Sequence, residues 1–228
     1  VNGLYKSVGS FGDISSWSFC QDKIISTGGE GGMITTNSNQ LFDKVWSFKD
    51  HGKTIDALNK KHQKGYRWLH DRFGSNFRMT EMQSAIGRIQ IKRLSEWHEK
   101  RKNNANILKT NLENISSLRI PIPSEDQEHA WYKFYAYVDN SALLDGWSRD
   151  RIINEINTYG YPAFSGSCSE IYLEKCFRNS RFALNKRLPI ARELGETSLM
   201  LLIHPTITKD QIYNYMEIVK LVINQAVK

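Results

Sequence analysis

A lysine close to a cluster of glycines is the part of this sequence best suited to covalent chemistry. Lys23 lies in a polar turn, and four glycines surround Glu30 in residues 28–32. A lysine amine forms a Schiff base with a carbonyl compound when burial or neighbouring charge lowers its pKa. Glycines allow positive φ and let a backbone approach a bound group closely. The residues are consistent with a lysine that holds a carbonyl cofactor, although for an arbitrary lysine a surface position in a hairpin turn is the commoner case.

Two short strands are expected to position this turn. Residues 14–19 alternate between apolar and polar side chains before the turn, and residues 33–36 are β-prone after it. Apolar residues at helical spacing predict a helix over 41–49. Residues 53–75 are expected to be a loop with short helical turns, and an amphipathic helix is expected to begin near Thr80.

The second half of the chain mixes helices with strands. A further helix is predicted over residues 94–112, where apolar residues form one stripe. Aromatic residues predict a strand over 129–138. A helix over 148–159 is expected to have Ser148 as its N-cap, and a capping box at 208–211 begins the last helix.

Several short motifs around Lys23 follow one another in a fixed order. They are Gly9-Ser10-Phe11-Gly12-Asp13, Trp17-Ser18-Phe19, Asp22-Lys23 and Gly29-Glu30-Gly31-Gly32. This order resembles the lysine signature of the DegT/DnrJ/StrS family of nucleotide-sugar aminotransferases, whose cofactor is pyridoxal 5'-phosphate. The resemblance implies that Lys23 forms the Schiff base with this cofactor. It also implies that Ser18, five residues earlier, donates its hydroxyl to the cofactor phosphate.

A second motif, the run NFRMTEMQSAIG from Asn76 to Gly87, resembles the same family. The resemblance implies that Asn76 reaches across a dimer interface to the cofactor phosphate of the other subunit. We therefore expect a homodimer with shared active sites. The residues alone allow another interpretation, in which Asn76 satisfies backbone donors at the start of a helix.

A run of small residues, 161–172, is expected to be an exposed loop because it cannot hold a core. The resemblance places this loop near the sugar-nucleotide mouth of the site, where Ser167, Ser169 and Glu170 can contact sugar hydroxyls. A solvated connecting loop is the alternative. The resemblance also implies that His204, which follows the apolar stretch 199–203, lies close to the site.

The resemblance implies an α/β chain with the fold type I architecture of PLP-dependent aminotransferases. Residues 1–95 are then the C-terminal part of the large PLP-binding domain, and residues 96–228 are a smaller α+β domain. The implied reaction is transamination of a keto nucleotide-sugar, for polysaccharide biosynthesis, with an amino acid donor that we expect to be glutamate.

One departure from the family concerns the start of the sequence. In the family, the residues that bind the pyridine ring and a Gly-Thr pair that binds phosphate precede the lysine by a long stretch. Only 22 residues precede Lys23 here. We therefore expect either a fragment of a longer polypeptide or a truncated, catalytically silent member that acts as a folded or partner-binding module.

Composition restricts the remaining classes of function. The 228 residues are 40% hydrophobic, which is sufficient for a globular core. The net charge of +7 comes from 31 basic residues interleaved with 24 acidic ones, so we expect no nucleic-acid partner. The sequence has no apolar run of membrane-spanning length and no signal-peptide pattern, which predicts a cytoplasmic protein. The three cysteines lack metal-type spacing, so reduced thiols and no metal site are expected.

Overall fold

The computed structural model describes residues 6–227 and divides the chain into two compact units. The first unit ends at Leu94, and the second begins at Ser95. One long helix, Glu81–Leu112, contributes residues to both units. The assignment of residues 1–95 and 96–228 to a PLP-binding domain and a small domain stays a prediction.

A β-hairpin is the central element of the first unit. Strands β1 (Ile14–Ser18) and β2 (Gly32–Thr36) pair antiparallel, with Ile14 opposite Thr36 and Ser18 opposite Gly32. The indole N–H of Trp17 donates to the Thr35 hydroxyl at 3.0 Å, which ties the strands together through their side chains. Both strands are confirmed to within one residue of the predicted bounds.

Two helices follow the hairpin, and each is capped by a side chain. In helix α1 (Asn39–Lys49) the Ser38 hydroxyl accepts from the Leu41 amide, and in α2 (Ile55–Asn59) the Thr54 hydroxyl accepts from the Ala57 amide. These caps satisfy backbone donors that helix geometry leaves without partners. The first helix confirms the prediction, and the second is one of the short helical turns expected between residues 53 and 75.

Helix α3 (Glu81–Leu112) is a single helix of 32 residues. It begins with a capping box, because the Thr80 hydroxyl accepts from the Gln83 amide at 3.3 Å and the Gln83 side chain accepts from the Thr80 amide at 2.9 Å. The prediction of two separate helices, meeting near Leu94, was wrong. Residues 88–96 contain neither glycine nor proline, so nothing interrupts the helical backbone there.

A four-stranded antiparallel sheet forms the centre of the second unit. Its strands, in spatial order, are β3 (Leu118–Arg119), β4 (Phe134–Val138), β6 (Ser198–Leu201) and β5 (Ala163–Phe164). The helices of this unit, besides the second half of α3, are α4 (Arg149–Thr158), α5 (Pro189–Thr197) and α6 (Lys209–Ala226). Ser148 caps α4 and a Thr208–Gln211 capping box begins α6, as the sequence predicts.

The hydrophobic core lies between one face of this sheet and three helices. Alternate residues of β4 are buried, which is the pattern of a strand with one face in a core. The largest fully buried side chains come from β4, β6, α3, α4 and α6, and they include Phe134, Leu108, Leu112, Ile152, Ile156, Leu199, Leu201, Ile212 and Ile223. The stripe predicted for residues 94–112 is confirmed at its C-terminal end, where Ala105, Leu108 and Leu112 are completely buried.

Two further features of this unit differ from the sequence prediction. The aromatic strand begins at Phe134 rather than at His129, because Trp131 has a φ of 49°, which is incompatible with an extended strand. Helix α5 was not predicted. Along residues 6–227, no helix has both the length and the apolar character of a membrane span.

Candidate cofactor site

Lys23 lies in a loop whose two ends are joined by backbone hydrogen bonds. The Lys23 amide donates to the Cys20 carbonyl at 3.1 Å, which closes the turn directly after β1. The Phe19 amide donates to the Gly31 carbonyl at 2.8 Å, and the Thr27 amide donates to the Phe19 carbonyl at 3.2 Å. The hairpin therefore fixes both ends of the loop that carries Lys23.

The Lys23 side chain is accessible. Its Nζ donates to the two carboxylate oxygens of Asp22 at 2.9 and 3.2 Å. The Lys23 side chain is 38% exposed and that of Asp22 is 53% exposed. An ion pair this exposed is a weak restraint, so a carbonyl compound can reach the amine.

The glycine cluster has the backbone geometry that the sequence predicts. Gly28 and Gly29 have φ values of 84° and 138°, which side-chain-bearing residues rarely adopt. The Glu30 carbonyl is held from two directions, by the Thr27 hydroxyl at 3.0 Å and by the Gln83 side-chain amide at 2.8 Å. The cluster is therefore fixed to the loop of Lys23 and to the first turn of α3.

Close packing explains why two of these positions are occupied by glycine. A Cβ atom on Gly31 would collide with the Thr27 hydroxyl, and one on Gly28 would lie 2.8 Å from Cδ1 of Ile86. Gly29 differs, because no atom lies within 4 Å of its Cβ position. Open space therefore lies beside Gly29, within the same loop as Lys23.

Ser18 is the last residue of β1 and is exposed. Its hydroxyl oxygen accepts from the Cys20 amide at 3.4 Å. A hydroxyl that accepts a hydrogen bond still has its own proton to donate, as a phosphate ligand requires. Ser18 and Lys23 are thus at the two ends of one short turn.

Asn76 lies on a different segment, which pairs with the end of α1 through a bridge to Asp50. Its side-chain oxygen accepts from the Arg78 guanidinium at 3.1 Å and from the Arg78 amide at 3.4 Å. It is not the N-cap of α3, since Thr80 fills that role. Its proposed reach towards a second subunit stays a prediction.

The side chains present fit pyridoxal 5'-phosphate in three respects. The Lys23 amine is accessible to an aldehyde, the Ser18 hydroxyl is exposed for a phosphate, and the space beside Gly29 is open. Over the part of the chain that is described, His, Cys, Asp and Glu side chains form no group of three that would bind a metal.

The predicted substrate residues lie in the second unit. Ser167 and Ser169 are exposed and line a pocket of about 610 Å³, together with Arg149, Ser165, Gly166, Cys168, Glu170, Leu173, Glu174, Lys175, Arg178, Gly195 and Glu196. The sequence did not predict the three basic residues of this wall. Lys175 and Arg178 lie in an irregular stretch without periodicity, and Arg149 carried only the signal of a helix start.

Glu170 differs from the exposed loop that the sequence predicts, because only 9% of it is exposed. Its carboxylate accepts from the Tyr172 hydroxyl at 2.5 Å and from Nε of Arg187 at 2.9 Å, and a second Arg187 nitrogen contacts its other oxygen. The hydrogen bonds from Arg187 and then from Tyr172 lower the pKa of Glu170 to about 2. Contact with a sugar stays a prediction for this residue.

His204 lies at the end of the stretch that follows β6. Its Nδ1 is 2.8 Å from the Thr206 hydroxyl, and its carbonyl accepts from the Asn104 side chain at 3.2 Å. Burial lowers the pKa of His204, and the positive charges of Arg101 and Lys133 lower it further. Its predicted place beside the substrate stays a prediction.

Comparison with known proteins identifies relatives over nearly the whole chain. The model of the DegT/DnrJ/EryC1/StrS aminotransferase family matches residues 1–220. GDP-perosamine synthase of Escherichia coli O157:H7 is 29% identical over 210 residues, which are 91% of this chain and 51% of that protein.

Solved structures share this fold. The aminotransferase from Psychrobacter cryohalolentis is 51% identical, with a TM-score of 0.91 over 96% of this chain and 58% of that one. NtdA from Bacillus subtilis, solved with bound cofactor PMP, is 27% identical, with a TM-score of 0.80 over 96% of this chain and 48% of that one. These matches confirm the predicted α/β fold of the PLP-dependent aminotransferase class. The chain spans about half the length of the relatives it matches.

Proposed function

Because the chain belongs to the DegT/DnrJ/EryC1/StrS aminotransferase family, we propose that it carries the cofactor lysine of a sugar aminotransferase. The observation that supports this most strongly is the position of Lys23. Its accessible amine stands in a loop that is closed by backbone hydrogen bonds and followed by a glycine cluster with positive φ.

Three residues of the chain are proposed to act on pyridoxal 5'-phosphate. When bound, this cofactor supplies the electron sink for the transfer of an amino group. Lys23 holds the cofactor covalently and, once released as a free amine, moves a proton through its Nζ atom. Ser18 donates a hydrogen bond from its hydroxyl to the cofactor phosphate. In a homodimer, Asn76 donates one from its side-chain amide to the phosphate of the cofactor that is bound by the partner subunit.

The proposed substrates are a nucleotide-linked keto sugar and an amino acid donor, with glutamate as the expected donor. A relative that is named as a GDP-perosamine synthase supports the sugar class. The exposed hydroxyls of Ser167 and Ser169 suit contacts to sugar hydroxyls, and His204 is a further candidate contact. The cytoplasmic location stays a prediction.

The alternative is a catalytically silent member that acts as a folded or partner-binding module. The observation that favours it is the exposed ion pair of Lys23 with Asp22, which is also typical of an ordinary surface lysine. The two functions differ in whether Lys23 binds the cofactor.

Borohydride trapping decides between them. The protein, expressed from its whole coding sequence, is incubated with pyridoxal 5'-phosphate, reduced, digested and examined by mass spectrometry. We expect the phosphopyridoxyl group on the peptide that contains Lys23, because reduction fixes the imine to the lysine that forms it. Lys23→Ala should abolish this label, whereas Lys44→Ala, on the exposed surface of α1, should retain it. A label that is absent from Lys23, or that is spread evenly over many lysines, would sink the aminotransferase proposal.

A further inference from the structure

The segment from Ser165 to Leu188 forms one wall of the 610 Å³ pocket but contains little regular structure. It contains two helical turns of three residues each, at 171–173 and 175–177, and most of its side chains are exposed. Segments with few buried contacts open easily. The hydroxyls of Ser167 and Ser169 therefore depend on specific contacts for a defined position.

Glu170 is a buried residue near the start of this segment, and its side chain contacts Arg187 near the end of the segment. Two nitrogens of Arg187 contact the carboxylate in a bidentate arrangement, in which charge-assisted hydrogen bonds are stronger than those between neutral groups. The Tyr172 hydroxyl donates to the same carboxylate and accepts from the Leu188 amide at 2.8 Å. The two ends of an 18-residue stretch, 170–187, are thereby held together.

The same contacts continue into α5. A nitrogen of Arg187 lies 3.4 Å from the carboxylate of Glu196, and Nε of Arg192 donates to that carboxylate at 2.8 Å. Glu196 lies in the last turn of α5, and β6 follows directly after it. The Glu170–Arg187 pair therefore connects the irregular segment to the regular part of this unit.

Two close contacts hold the serines themselves. Gly195 of α5 has no Cβ, and one placed there would collide with the Ser169 hydroxyl. The Ser167 amide donates to the Tyr135 hydroxyl at 3.2 Å, and a Cβ on Gly166 would lie 2.5 Å from the Tyr135 ring. The serine stretch thus rests against β4 on one side and against α5 on the other.

We propose that Glu170 and Arg187 form a clamp that positions Ser167 and Ser169 on the wall of the pocket. Both residues are positioning residues: they act on the ligand through the serine stretch. The Glu170 carboxylate accepts three hydrogen bonds from the protein, so these contacts assign it a positioning role. The sugar as ligand of this pocket rests on the function proposed above, whereas the clamp itself rests on these contacts.

Amide hydrogen exchange of the whole protein tests the clamp directly. Glu170→Gln removes the charge, and Arg187→Lys keeps the charge but cannot form the bidentate pair. We expect each change to speed exchange of amides 165–172 by about 10-fold or more, with α6 unaffected. Glu193→Gln, an exposed acidic residue of α5, is the matched control and should leave the exchange of amides 165–172 unchanged. Unchanged exchange in both clamp variants would overturn the proposal.

Two more variants extend the test. A milder change serves if a clamp variant unfolds, and a double variant shows whether the two residues act together. Tyr172→Phe removes one hydroxyl, and we expect faster exchange of the Leu188 amide that this hydroxyl accepts from. The double variant Glu170→Gln with Arg187→Lys should exchange no faster than either single variant, because the two residues act as one unit. Additive effects, or an unchanged Leu188 amide in Tyr172→Phe, would contradict the clamp.

Kinetics separate positioning of the ligand from a purely structural role. For a keto sugar that the wild-type protein aminates, Arg187→Lys should raise KM for the sugar several-fold and leave kcat and the labelling of Lys23 unchanged. A fall in kcat without a change in KM would contradict the positioning role. Failure of Lys23 labelling would instead sink the proposed function, while the exchange experiment would still decide on the clamp.

Discussion

Gly52 and Gly65 both have a positive φ, but their surroundings differ. Gly52 has a φ of 80°, and its amide donates to the Ser47 carbonyl at 2.7 Å just after α1 ends. A Cβ at Gly52 would collide with the backbone of Arg72. Gly65 has a φ of 120° with open space around its Cβ position. A residue with a Cβ would therefore be strained in its backbone at both positions. Only at position 52 would its Cβ also collide with another part of the protein.

This difference gives a prediction at the residue scale. Gly65→Ala should lower the free energy of unfolding by about 1–3 kcal/mol, which is the typical cost of a sparsely populated backbone conformation for a residue with a Cβ. Gly52→Ala should cost clearly more, because the Arg72 backbone must also move. Urea denaturation of the two variants beside the wild type measures both values. Equal losses in the two variants would show that the Arg72 contact is unimportant.

A local sequence pattern accounts for the backbone conformation of Gly52 but not for its contact with Arg72. A glycine after a helical stretch indicates a helix end, because glycine adopts positive φ without penalty. The contact with Arg72 is between residues far apart in an irregular loop, and no sequence pattern encodes it. For the same reason, local motifs could mark Lys23, Ser18 and the glycine cluster as a candidate site, whereas no local motif could indicate the pairing of Glu170 with Arg187.

At the scale of elements, the helices also show that local signals are predictable from the sequence and that other features are not. Helices α4 and α6 were predicted with their caps, because a Ser or Thr N-cap and apolar spacing are local signals. The continuity of α3 was missed because its middle is polar and shows little periodicity, so its two apolar stripes looked like two helices. Trp131 shortened the aromatic strand through a positive φ that its residue type does not suggest.

Two neighbouring side chains of α6 give a prediction at this scale. Ile223 is 1% exposed and Leu221 is 41% exposed, although they are only two positions apart. Ile223→Ala should lower the free energy of unfolding by about 2–5 kcal/mol, because it leaves a cavity in the core. Leu221→Ala should cost less than about 1 kcal/mol, since a partly exposed side chain leaves no cavity. Thermal or urea unfolding checks both, and similar losses would place the core elsewhere.

At the scale of the whole molecule, two histidines of the second unit link stability to pH. Burial lowers the pKa of His129, and the charge of His98 lowers it further. Burial, Arg101 and Lys133 lower the pKa of His204. Both histidines therefore bind protons more weakly in the folded protein than in the unfolded one. Their contribution to stability is complete above the unfolded value near 6.5 and is lost as the pH falls below it.

The melting temperature should consequently fall between pH 8 and pH 5.5. His204→Gln should reduce this fall, because the variant has one proton fewer to take up on unfolding. Differential scanning fluorimetry over this pH range measures the effect. A melting temperature that is constant, or that rises towards pH 5.5, would contradict the assignment.

The strand order β3-β4-β6-β5 also bears on when the second unit can fold during synthesis. Strand β6 lies between β4 and β5, yet it follows both of them in the chain. On the ribosome, β4 and β5 must wait without their shared neighbour until residues 198–201 have emerged. The core also requires α6, which is made later still. Folding of this unit is therefore limited by distant contacts, and a chain that stops short of Ser198 cannot complete the sheet.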